Sequence, residues 1–170
     1  MKIYLSAPLF TQVERKWNRM LAAALEEHIE GAKVILPQDF TFSQSFNRAA
    51  DFPELFKECL RTLEEADLVV AVLDGPDVDS GAAFEVGYAY ARGIPIIGIR
   101  TDYRKSQDRG LNLMLSQSCT ELLREMSFSE DLNQLVKDLA GKIIVALRKM
   151  DRRVKNQTRN PNDESMTKSE

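Results

Sequence analysis

Asp67-Leu68-Val69-Val70-Ala71-Val72-Leu73-Asp74-Gly75-Pro76-Asp77-Val78-Asp79-Ser80-Gly81-Ala82-Ala83-Phe84-Glu85-Val86-Gly87-Tyr88-Ala89 joins the chain's clearest strand signal to its most unusual helix signal. Leu68–Leu73 is apolar without a break and rich in valine. Such runs mark strands covered on both faces, as in parallel sheets. Gly75-Pro76 breaks the run, and Ser80 to Arg92 reads as the next helix. Within Ser80–Ala91 the only charged residue is Glu85, where a surface helix would present a whole polar face. A lone carboxylate one turn from Gly81 and one turn from Ala89 has small neighbours beside it, which leaves room for a ligand.

Outward from this segment the same alternation continues. Lys2–Ser6 reads as a buried strand ending at Ala7-Pro8, and Gln12–Glu30 carries apolar residues at helical spacing until Gly31. Lys33–Leu36 is a second strand closed by Pro37, Pro53–Ala66 a helix, and Ile94–Ile99 a further apolar strand. Glu121–Phe128 contains the final strand, and Asp131 to about Arg152 the closing helix. Thr41 to Phe52 is a polar, irregular loop with scattered aromatics, a type of loop that often serves function. Strands alternating with helices imply an α/β fold with a parallel sheet and right-handed crossovers. The expected domain spans residues 1–152, and 153–170 reads as a polar, disordered tail.

Composition narrows the function. A length of 170 residues suits one domain, and a formal charge of −3 gives no basic field for a nucleic acid polymer. No run approaches the ~20 apolar residues that span a bilayer. The opening Met1–Ser6 lacks the apolar core of a secretory signal, so a cytoplasmic location without membrane association is expected. Cys59, Cys119 and the one histidine, His28, are too dispersed for a disulfide scaffold or a metal site.

In open parallel sheets the ligand sits beyond the carboxyl ends of the strands. That places Ser6–Phe10, Asp74–Ser80 and Arg100–Tyr103 together. From pattern alone Glu85 is either a functional carboxylate or a residue paired with Arg92, Arg100 or solvent. Asp79 is a ligand contact or an N-cap. Asn112 is a contact, a loop residue or a helix cap. Gln38 is a ligand contact or an exposed turn residue, and Tyr4 an ordinary strand residue or part of the site. Phe40 and Phe46 either stack on a ligand or fill gaps in the core.

From about Lys2 to about Phe128 the chain resembles the nucleoside 2-deoxyribosyltransferase family. The resemblance is carried by Ala66–Ala89, by Tyr4-Leu5-Ser6-Ala7-Pro8-Leu9-Phe10 and by Leu111-Asn112-Leu113-Met114. It implies a flavodoxin-like three-layer sandwich with a five-stranded parallel sheet. It also implies transfer of a 2-deoxyribosyl group between nucleobases, or to water, by double displacement and without a cofactor or metal. Glu85 matches the nucleophile, and a carboxylate suits an oxocarbenium-like transition state that collapses to a glycosyl ester. Tyr4 matches the tyrosine that holds it, with Ser6, Pro8 and Gly81 lining the same site. Asp79 matches the aspartate that contacts the sugar 5′-hydroxyl; related nucleotide N-glycosidases carry serine there. Asn112 matches a sugar contact that a neighbouring subunit supplies in a homo-oligomer, and Gln38 a contact to the base. The expected partners are therefore a small nucleoside and a nucleobase. Two alternatives stand beside this one: a deoxynucleoside 5′-monophosphate N-glycosidase and a non-catalytic nucleoside or nucleotide sensor.

Two departures from the family pattern stand out. Cys59 replaces an aspartate that helps protonate or bind the base, and a thiol of pKa ~8.5 is a poor substitute. Asp39, Asp51 and Asp77 are the remaining candidates for that role, and Cys59 itself reads equally as a core residue. The polar C-terminus has no counterpart of the family's aromatic segment.

Overall fold

A computed structural model describes residues 1–40, 51–105, 110–125 and 129–159, the stretch 154–159 by backbone alone. Five strands, β1 (Lys2–Ser6), β2 (Lys33–Ile35), β3 (Leu68–Val72), β4 (Ile96–Arg100) and β5 (Glu121–Arg124), form one sheet in the order β2-β1-β3-β4-β5. All four pairings are parallel. This is the flavodoxin-like order, and the chain reverses direction across the sheet between β1 and β3. The helices are α1 (Gln12–His28), α2 (Phe52–Glu64), α3 (Ser80–Ala91), α4 (Leu113–Ser118) and α5 (Leu132–Arg159). No helix among the described residues is long and apolar enough to cross a membrane.

The layers follow from side-chain alternation along the strands. Ile3, Leu5, Val70 and Ile97 point to one face, where Leu21, Leu25, Leu139 and Ile143 of α1 and α5 cover them. Tyr4, Val69, Ala71 and Ile96 point to the other, against Leu63 of α2 and Val86 and Ala89 of α3. Tyr4 and Ser6, two residues apart in β1, therefore both face α3. β3 and β4 are buried along their whole length, as their unbroken apolar sequences require. Asp79 caps α3 by accepting from Ala82 N at 2.9 Å, and Asn112 caps α4 by accepting from Met114 N at 2.9 Å.

Three features differ from the sequence expectation. The closing helix runs on to Arg159, past Arg152, because the helix-tolerant Arg153, Lys155, Gln157 and Arg159 follow with no Gly or Pro before Pro161. The short helix α4 was not expected, since six residues give too little period to register. A 3₁₀ turn at Pro37–Asp39 follows β2. Phe42 and Phe46, most of the Thr41–Phe52 loop, Met126–Phe128 and residues 160–170 lie outside the described residues.

At Gly98, in the middle of β4, an added Cβ would stand 2.6 Å from Cys119 Sγ and 2.9 Å from Leu73 Cδ1. The neighbours are packed against the bare backbone, so Gly98→Ala should lower unfolding stability by about 1–3 kcal/mol. Urea titration of the variant against the wild type reads this directly.

Candidate active site

Open parallel sheets bind ligands in a crevice at the carboxyl ends of the strands where the chain reverses, here between β1 and β3, and α3 begins at that end. Glu85, partly buried on α3, meets the two hydroxyls that β1 presents. Tyr4 Oη donates to Glu85 Oε1 at 2.6 Å, and Ser6 Oγ donates to Oε2 at 2.6 Å. Charge-assisted O–H···O⁻ bonds of this length are strong and fix the carboxylate plane. Each carboxylate oxygen accepts one of these bonds and keeps a further lone pair.

The pairing of Glu85 with an arginine is not realised. Arg92 pairs with Glu64 at 3.2 Å, and the guanidinium of Arg100 serves the carbonyls of Leu73 and Gly75. Burial raises the Glu85 carboxyl above its usual range, the bonds from Ser6 and Tyr4 oppose this, and the nearby charge of Asp79 adds to the rise. Burial, together with the charge of Glu85, pushes the Tyr4 phenol well above its ordinary range, so it remains a donor throughout the working pH range.

The remaining candidates divide. Asp79 is both the cap of α3 and a charge beside Glu85. Gly81 is exposed, with room for little more than its hydrogen: a Cβ would lie 3.1 Å from Asp79 Oδ1. Ala89, by contrast, is packed in the core, so of the two small neighbours of Glu85 only Gly81 is exposed. Ser6 faces Glu85 itself, to which its proton is committed.

Gln38 is buried rather than an exposed turn residue. Its Oε1 accepts from Asn18 Nδ2 at 3.1 Å, and its Nε2 donates to Arg15 O at 3.1 Å. Asn18 also donates to Pro8 O at 2.9 Å. Gln38 and Pro8 thus meet through α1, which ties the loop after β1 to the turn after β2. Asp39 pairs with Arg19 at 2.5 Å. Asn112 lines a cavity of about 300 Å³ with Gly75, Pro76, Asp77, Arg100 and Met114; Glu85, Tyr4 and Ser6 are not among its walls.

The crevice rests on supports that motif matching missed. Asp74 accepts from Thr101 N and Oγ1, both at 2.6 Å, and from Asp102 N at 2.9 Å. Asp102 accepts from Gly75 N at 3.1 Å, and its hydrogen bonds from Arg104 hold its carboxyl far below the usual range. These bonds lock the loop before α3 to the end of β4. The shared face of Tyr4 and Ser6 was legible from period-two alternation. The nearness of Cys59 to the Glu85 charge had no such signal, because it joins elements far apart in the chain.

Comparison with known proteins agrees with this fold. The sequence model of the family described as nucleoside 2-deoxyribosyltransferase matches residues 3–114. A protein of Thermofilum pendens named putative 2′-deoxynucleoside 5′-phosphate N-hydrolase 1 is 33% identical over 100 residues, covering 58% of this chain and 67% of that one. The structure of a conserved protein from Enterococcus faecalis V583 superposes with a TM-score of 0.64 at 29% identity, over 81% of this chain and 98% of the other. A 2-deoxyribosyltransferase from Bacillus psychrosaccharolyticus gives 0.59 at 24% identity, over 80% and 90%, a likeness of fold.

The raised Glu85 carboxyl has a stability consequence. A group whose folded pKa exceeds its unfolded value contributes stability in full below the unfolded value, about 4.3. That contribution is lost as pH rises through the folded value. Glu85→Gln, neutral at every pH and able to keep both hydroxyls bonded once Ser6 turns, should therefore be more stable than wild type at neutral pH, by roughly 0.5–2 kcal/mol. The difference should shrink toward zero near pH 4. Urea unfolding at both pH values tests the sign.

Proposed function

The chain belongs to the nucleoside 2-deoxyribosyltransferase family, enzymes of deoxyribosyl transfer or N-glycosidic cleavage, and from that premise we propose a reaction through Glu85. In this reading a Glu85 oxygen attacks C1′ of a 2-deoxynucleoside as the C1′–N bond breaks. The bonding pair leaves with the base, and a glycosyl ester to Glu85 forms. An acceptor base, or water, then attacks C1′ from the face the first base left. The ester bond breaks, the carboxylate is regenerated, and configuration is retained. The observation that carries the reading is the two-hydroxyl clamp, which leaves a desolvated carboxylate oriented at the ligand crevice. Desolvation suits a nucleophile whose charge must meet developing positive charge at C1′.

Asp79 supports a free nucleoside as substrate. Its carboxylate beside Glu85 accepts a 5′-hydroxyl readily, whereas a 5′-phosphate would add charge to two neighbouring carboxylates. The second reading, hydrolysis of a deoxynucleoside 5′-monophosphate, is favoured by the printed name of the Thermofilum pendens relative. We also place Asn112 in the site of a neighbouring copy within a homo-oligomer. The exposed Leu113 and Met114, which follow it directly in the chain, are apolar side chains that assembly would cover.

Incubation with 2′-deoxyinosine or thymidine and excess adenine should yield deoxyadenosine, followed by chromatography. Glu85→Ala should lower the rate at least about a thousandfold. Asp79→Ser should shift preference toward the 5′-monophosphate. Base release from the monophosphate alone would reverse the order of the two readings, and no base release from either substrate would contradict both.

A further inference from the structure

The two donors to Glu85 differ in kind and in place. Tyr4 Oη donates to Oε1 and Ser6 Oγ to Oε2, each at 2.6 Å. Tyr4 lies inside β1, fully enclosed in the cluster that contains Leu63, Val69, Ala71 and Val86, so its ring is held. Ser6 is the last residue of β1, at the strand end where ligands meet an open parallel sheet. Its hydroxyl turns about one bond without moving the chain. We propose that Oε2 is the Glu85 oxygen that attacks C1′, and that Ser6 is the donor that loosens from Oε2 on attack and grips it again as the sugar leaves.

The inference rests on the reaction through Glu85 and gives the two carboxylate oxygens separate parts. In the first step a lone pair of Oε2 forms the C1′–Oε2 bond, and the C1′–N pair leaves with the base, which takes its proton from solvent. Oε1 becomes the carbonyl oxygen of the ester and Oε2 its bridging oxygen. A carbonyl oxygen remains a good acceptor, so the bond from Tyr4 persists. A bridging ester oxygen is a poor acceptor, so the bond from Ser6 weakens. In the second step the acceptor base or water bonds to C1′ and yields a proton to solvent. The C1′–Oε2 pair returns to Oε2, and charge grows on the atom that the Ser6 hydroxyl faces. A donor aimed at developing charge stabilises the transition state more than the ground state. Ser6 therefore speeds release of the sugar from Glu85 and brings no gain to the attack, while Tyr4 holds the carboxylate through both steps.

The test separates formation of the ester from its decay. Rapid quenching follows free base in the first turnover of 2′-deoxyinosine or its 5′-monophosphate, whichever the wild type cleaves. Mass spectrometry of the Glu85 peptide follows the deoxyribosyl adduct, whose decay is timed after adding adenine. In Ser6→Ala the first release of base should stay within about threefold of wild type, while the adduct decays about tenfold more slowly and accumulates. Ser6→Thr, which keeps the hydroxyl on a residue suited to a strand, should restore the decay. Tyr4→Phe should slow the first release of base and accumulate no adduct.

Equal slowing of both steps in Ser6→Ala would make Ser6 a residue that only orients the carboxylate and would overturn the proposal. Adduct accumulating in Tyr4→Phe rather than in Ser6→Ala would assign the attack to Oε1 and overturn it too. Both outcomes leave Glu85 as the nucleophile. A wild type that releases base without an adduct, or releases none, overturns the proposal together with the reaction through Glu85.

Discussion

Two short hydrogen bonds from one strand to one helix organise the crevice. Tyr4 and Ser6 face Glu85 because β1 alternates its side chains and because the chain reverses between β1 and β3. Everything around the pair holds those elements in register. The apolar runs of β3 and β4 fix the sheet, Asp79 fixes the start of α3, and Asp74 with Asp102 fixes the loop between them. A carboxylate taken from water costs free energy unless its oxygens are bonded, and here both are. The bonds offset desolvation only in part, which leaves Glu85 protonated more readily than an exposed glutamate. Such residual strain is common where a group is kept reactive rather than stable.

Much of this architecture was legible in the sequence. The unbroken run Leu68–Leu73 could only be a doubly covered strand, and the solitary charge of Glu85 in an apolar helix marked it as a residue with a partner or a ligand. The family resemblance, borne out by the match over residues 3–114, supplied the five-stranded order. What the sequence withheld were contacts across long separations and weak local signals. Gln38 stood open between a contact to the base and an exposed turn residue. Its burial against Asn18 and Arg15 depends on how α1 crosses the sheet. Cys59 carried no pattern linking it to Glu85. The helix beyond Arg152 has no need of an apolar face, so a reading based on periodicity stopped too early.

The sequence departs from the family pattern at Cys59, a position expected to serve the departing base. Cys59 stands where an acid is expected, and burial pushes its thiol up to about 11. Asp39, one alternative, is engaged by Arg19. Stabilisation in this site is therefore concentrated on the carboxylate. In the proposed reaction it falls on the moment when positive charge develops at the sugar carbon, where a preoriented anion acts most strongly.

The account stands on a covalent bond between the sugar and Glu85. Rapid quenching of the enzyme during turnover of a 2-deoxynucleoside, followed by mass spectrometry of the peptide containing Glu85, measures that bond directly. A deoxyribosyl adduct should appear on Glu85, vanish when acceptor base is added, and be absent from Glu85→Gln. Turnover at an undiminished rate in Glu85→Gln, or a product of inverted configuration with no adduct, would contradict it.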